Sequence, residues 1–150
     1  MDNIHMLFES EVIDAVCDKL ESLGYKIQQK LQTNQQGDDI VAEKSGISQC
    51  RIFIEAKGET SSRKTSERFG RPFDSAQVRV HVAEAFYKAA QVLSVETNKE
   101  YVMISGIALP NTQLHQNCVK NIQSVLDRLN IVVLWVHENK TVQISSSFEL

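Results

Sequence analysis

The segment CRIFIEAK, residues 50–57, has the period-two alternation of an extended strand. It places Ile52, Ile54 and Ala56 on one face and Arg51, Phe53, Glu55 and Lys57 on the other. An acid and a base therefore project side by side at the strand's end. Burying such a pair is costly unless a further charge or a metal compensates it. Asp39 directly precedes the apolar run IVAEK and is placed to lie beside Glu55, with Asp38 as the alternative. Two carboxylates on neighbouring strands can hold Mg²⁺ or Mn²⁺ and still leave positions for water and a phosphate oxygen. The chemistry this permits is phosphodiester hydrolysis. The metal would lower the pKa of a bound water and offset phosphate charge, while Lys57 orients the attacking hydroxide and stabilises the transition state. The competing reading of the same three residues is a structural ion pair at a strand end.

Charge is distributed to match. The whole chain carries −3, but residues 51–79 hold seven Lys/Arg against four acids, a local balance of +3 that leaves −6 elsewhere. Arg63, Lys64, Arg68, Arg71 and Arg79 lie just past Lys57, where contacts to a nucleic-acid backbone would supply affinity. The plain alternative is a set of solvated charges on a loop. Phe69 and Phe73 in the same stretch are open to three roles: stacking on bases, packing under the loop, or forming a dimer contact.

The elements that must position these residues follow from periodicity. Val12, Val16, Leu20 and Leu23 recur at helical spacing from Phe8 to Leu23, and Gly24 ends that helix. Strands are expected at 25–32, 39–44 and 50–57 as a meander, and the polar segment 58–73 as a long loop. A capping pattern at DSAQ opens a long helix to about Val95, with Val78, Val82, Ala85, Phe86, Ala89 and Leu93 inward. A strand at 100–109 and a helix at 111–129 follow, the latter with Leu114, Cys118, Ile122, Val125 and Leu129 inward. The apolar run IVVLWV then gives a strand covered on both faces, and 141–145 an edge strand. The order αβββαβαβ predicts an α/β fold, a mixed sheet flanked by helices, in one domain spanning 1–150.

No run of about 18 apolar residues or stretch of signal-peptide type occurs, so membrane spanning and secretion are not expected. Cys17, Cys50 and Cys118 are odd in number and lack a CxxC pair, as suits reduced thiols in a cytoplasmic protein.

Taken together, GDDIVAE, the following hairpin and IFIEAKG, after a helix ending in LGY, resemble the paired motifs of the PD-(D/E)XK, or restriction-endonuclease-like, nucleases. The resemblance covers residues 9–90. It implies a restriction-endonuclease-like core and Mg²⁺-dependent phosphodiester cleavage. It also implies a carboxylate from the first helix, for which Glu11 or Asp14 is available, and a glutamine on the helix after the lysine strand, where Gln77 stands with His81 four residues on. There is no cysteine cluster of the kind that iron-sulfur members carry. The expectation is a metal-dependent nuclease acting on DNA, in which a homodimer would present two sites to opposite strands. The rival expectation is a catalytically silent protein of the same fold that binds nucleic acid or a protein partner.

Overall fold

A computed structural model describes residues 5–31, 37–46, 49–61, 70–95 and 100–150. Helix α1 (Glu9–Ser22) leads into strands β1 (Lys26–Lys30), β2 (Ile40–Lys44) and β3 (Cys50–Ala56). Helix α2 (Ser75–Val95) crosses to β4 (Val102–Pro110), and α3 (Gln113–Lys120) and α4 (Gln123–Arg128) precede β5 (Val132–Val136) and β6 (Val142–Ser145). The six strands lie in sequence order in one mixed sheet. β1, β2 and β3 form an antiparallel meander, β3, β4 and β5 run parallel, and β6 returns antiparallel along the edge. The α/β class and the αβββαβαβ order are as the sequence predicts, with the edge strand added and one helix divided in two.

Each face of the sheet has its own apolar layer. Val12, Val16 and Leu20 of α1 pack with Ile40, Ile52, Ile54, Ala56, Ala108 and Leu134. On the opposite face Val78, Val82, Ala85 and Ala89 of α2 join Ile107, Leu109, Val133, Val119 and Leu126. Alternation along β3 thus gives Ile52, Ile54 and Ala56 to the α1 face and leaves Glu55 to the α2 face. Truncating a fully buried Ile or Leu in either layer would cost about 2–5 kcal/mol. Helix α1 stops where Gly24 takes φ +94°. The Tyr25 N–H there bonds Leu20 O at 2.9 Å and the Gly24 N–H bonds Glu21 O at 3.0 Å.

The segment 111–129 departs from expectation. The helix breaks after Lys120, and His115, Val119 and Leu126 face inward, while Leu114, Val125 and Leu129 are exposed. Thr112 caps α3 by accepting the His115 N–H, which fixes the helix phase with the imidazole inside. Cys118 and Ile122 pack partly against the core as expected. All three cysteines are free thiols, and burial pushes that of Cys17 up to about 11. No helix among the described residues is long and apolar enough to cross a membrane.

Candidate active site

The antiparallel register pairs Ile40 with Ile54 and Val41 with Phe53, so one further step brings Asp39 opposite Glu55. Asp39 Oδ2 accepts the Ala56 N–H at 2.8 Å, an anchor that holds the carboxylate at the end of β3. Both acids are largely buried, Asp39 at 8% and Glu55 at 7% exposure. Burial is the main cause that raises the Asp39 carboxyl above its ordinary range. Burial and the Asp39 charge together push Glu55 up to about 7. Asp38, the alternative, is only half-buried.

On the α1 side, the carboxyl that feels the Asp39 charge is that of Glu9, a residue the sequence does not single out. Glu9, the first residue of α1, is pushed up to about 7 by burial and then by the Asp39 charge, with Lys57 and Lys88 acting in the other direction. Gly58 makes this approach possible: a Cβ there would stand 2.5 Å from the Glu9 backbone nitrogen, so the chain after β3 presses directly on the start of α1. Glu11 is occupied elsewhere. Its carboxylate accepts the Phe8 N–H at 3.1 Å, meets His5 Nε2 at 2.7 Å and lies 3.4 Å from Lys140 Nζ. Burial works to raise the Glu11 pKa, but the His5 and Phe8 hydrogen bonds outweigh it and hold the group low. Asp14 is exposed and pairs with Lys30. Glu11 and Asp14, the α1 carboxylates expected at the site, thus have partners of their own, and Glu9 is the α1 acid that feels the Asp39 charge. The pattern that distinguishes them is in the sequence: Glu9 shares the 3–4 spacing of Val12, Val16 and Leu20, whereas Glu11, Asp14, Asp18 and Glu21 form the polar face.

Two lysines border the acids. Lys57 Nζ lies 3.0 Å from Glu84 Oε2, and Lys88 Nζ lies 3.3 Å from Glu55 Oε1, both acceptors reached across the β3 and α2 packing. Glu55 Oε2 is buried and finds no hydrogen-bond partner among the described residues. Lys88 and Glu84 were not singled out in the sequence, although they continue the helical stripe Gln77, His81, Glu84, Lys88.

Gln77 serves as the inner half of a capping box. Its Oε1 accepts the Asp74 N–H and its own N–H bonds Asp74 Oδ1, both at 2.9 Å, so the side chain expected at the site makes the helix cap that the DSAQ pattern also offers. His81 stacks edge-on against Phe73, with ring centroids 4.4 Å apart, and its pKa is lowered by burial and by Lys57. Phe73 thus packs partly against the α2-side core instead of standing free for a base. Arg71 and Arg79 are exposed, while Arg63, Lys64, Arg68 and Phe69 fall outside the described residues.

No protein-family model and no curated protein matches the chain. Among solved structures it is similar to a FdxN element excision controlling factor protein from Anabaena variabilis. The TM-score is 0.43 and the identity 15%, over 91% of this chain and 98% of that one.

The donor set can be tested against the divalent ion that the sequence resemblance implies. Among the described residues no group of three or more His, Cys, Asp or Glu side chains is gathered closely enough to hold a metal by itself. Mg²⁺ does not require such a cage, since it is commonly held by one or two carboxylates with water completing its shell. Asp39 and Glu55 are hard oxygen donors, and the buried Glu55 Oε2 has no hydrogen-bond partner among the described residues. The residues fit the ion.

Proposed function

We propose that this protein is a divalent-metal-dependent nuclease that hydrolyses phosphodiester bonds in DNA. The observation that carries the reading is the buried Asp39 and Glu55 pair at the end of β3, with Glu55 Oε2 unpartnered and Lys57 two residues further along. Groups displaced toward neutrality by burial and like charge are characteristic of sites built for a task, because such an arrangement destabilises the fold.

Asp39 and Glu55 would hold Mg²⁺ or Mn²⁺, with Glu9 adding negative charge from the α1 side. The ion would supply an activated water and neutralise part of the phosphate charge. Asp39 is held in place by the Ala56 N–H, so its orientation does not depend on a mobile side chain. The Lys57 ammonium, largely shielded from solvent, is the cation that orients the nucleophile and offsets charge developing on the phosphoryl oxygens. Arg71 and Arg79 are exposed and, with Arg63, Lys64 and Arg68, would grip backbone phosphates. A homodimer would give two strand cuts from two identical sites.

A second reading has its own observation. Both lysines already have acidic partners, Glu84 and Glu55, so the acids are partly neutralised without a metal, as in a silent binding protein of the same fold. Cleavage of plasmid and single-stranded DNA with Mg²⁺ or Mn²⁺, paired with calorimetry of metal binding, separates the two. The nuclease reading expects metal-dependent cutting that is lost in Glu55→Ala and Lys57→Ala. Absence of both cutting and metal binding would select the silent fold.

A further inference from the structure

Among the described residues Lys88 is the one cation that contacts a proposed metal ligand directly, and nothing in the Glu-x-Lys motif accounts for it. It lies on the fourth turn of α2, and its Nζ is 3.3 Å from Glu55 Oε1 while its side chain remains about half exposed. Glu55 is almost fully buried, so its charge must be balanced locally, and Lys88 is the group that reaches it. Lys57 is held by Glu84, one turn before Lys88 on the same helix. The two ammonium groups and Glu84 border an open cleft of about 530 Å³, together with Val80, Ala83 and Tyr87. Tyr87 is 68% exposed.

We infer that Lys88 is a second functional cation of the site, the counter-ion of Glu55 while the metal is absent and a phosphate-binding group once a divalent ion takes over that carboxylate. The inference rests on the nuclease reading and deepens it. A divalent cation and an ammonium at one carboxylate repel each other, so loading must weaken the Lys88–Glu55 pair. The released side chain has a long flexible stem and faces a cleft, where an anion would be its next partner. Metal loading and substrate binding are thereby linked through one residue: each favours the state in which Lys88 has left Glu55.

The test uses two measurements that need no turnover. Mn²⁺ binding to the full chain is measured by calorimetry in wild type, Lys88→Met and Lys88→Arg. Binding of a short DNA oligonucleotide is then measured in Ca²⁺. Lys88→Met should bind Mn²⁺ about tenfold more tightly than wild type, because the competing charge is gone, while Lys88→Arg stays near wild type. Lys88→Met should also bind the oligonucleotide several-fold more weakly, with a smaller salt dependence. Mn²⁺ affinity that is equal or weaker in Lys88→Met overturns the counter-ion role, and unchanged oligonucleotide affinity overturns the phosphate role. If neither wild type nor Lys88→Met binds Mn²⁺, the metal site itself is wrong and the inference falls with it. Metal bound equally by both leaves the nuclease reading standing and removes the inference alone.

Discussion

Lys57 is held by Glu84 of α2, 3.0 Å away, and not by Glu55 two residues before it on the same strand. Motif proximity along β3 places both side chains on one sheet face, but the helix packed over that face supplies the partner. Glu84 is more than half exposed, so this ion pair contributes little stability, about 0–1 kcal/mol.

It follows that Lys57 and Glu84 should separate in function while resembling each other in stability. Lys57→Ala should leave the melting temperature within about 3 °C of wild type and lower cleavage about 100-fold or more. Glu84→Gln should leave melting equally undisturbed and keep cleavage within about tenfold of wild type, since it removes a partner and not the cation. Thermal melts alongside plasmid cleavage check both. Retained cleavage in Lys57→Ala removes Lys57 from the site.

Glu9 and Glu11 should respond oppositely to amide substitution. Glu11 caps the Phe8 N–H and meets His5 and Lys140, so Glu11→Gln should destabilise by about 1 kcal/mol with little effect on cleavage. Glu9 is held near neutrality by burial and Asp39. A carboxyl whose folded pKa is raised to about 7 stabilises the fold at low pH and loses that contribution as pH climbs from about 4.5 through 7. Glu9→Gln should therefore make the metal-free protein more stable at pH 8 than wild type, and weaken metal binding at the same time. Urea unfolding at pH 6 and pH 8 is the measurement, and a destabilised Glu9→Gln at pH 8 contradicts the placement.

Gly58 provides a test that deletes no charged group. A Cβ at this position would meet the Glu9 nitrogen at 2.5 Å and the Phe8 carbonyl carbon at 3.1 Å, both backbone atoms that cannot swing aside. Gly58→Ala should cost about 1–3 kcal/mol and shift α1 away from β3. Cleavage should fall further than stability does, because Glu9 moves away from Asp39. Measurement at a temperature where the variant remains fully folded isolates that effect. Unimpaired cleavage there would show that the approach of α1 does not matter to the site.

The strand residues of the site were legible because a period of two fixes facing without further information: once CRIFIEAK is a strand, Glu55 and Lys57 share a side, and the register supplies Asp39. Residues on helices were harder. Glu11 and Asp14 lie on the polar face of α1, whereas Glu9 shares the spacing of the buried Val12 and Val16. Gln77 fits both a site role and a cap, and its bonds to Asp74 are those of the cap. Lys88 becomes significant only when α2 lies over β3, a long-range packing fact that no local pattern contains. In α3 and α4 the leucines suggested an inward face, but the Thr112 cap and the break after Lys120 set the phase, and His115 was buried in their place.

That buried imidazole should dominate the acid limb of stability. His115 is 1% exposed, its Nδ1 meets Thr112 Oγ1 at 2.6 Å, and its Nε2 has no partner among the described residues. Burial, and then the neighbouring His81, lower its pKa to about 4 from 6.5. A group depressed in this way stabilises the fold above its unfolded pKa, and the contribution is lost as pH falls from about 6.5 toward 4, when the unfolded chain takes up a proton that the folded chain refuses. The loss from this one residue is roughly 3 kcal/mol across that window. His115→Gln removes the titration while keeping a polar side chain near Thr112. Its unfolding free energy should therefore change less between pH 7.5 and pH 4.5 than that of wild type, whatever the two absolute values. Chemical denaturation at the two pH values supplies the comparison, and equal slopes would assign the acid limb to other groups.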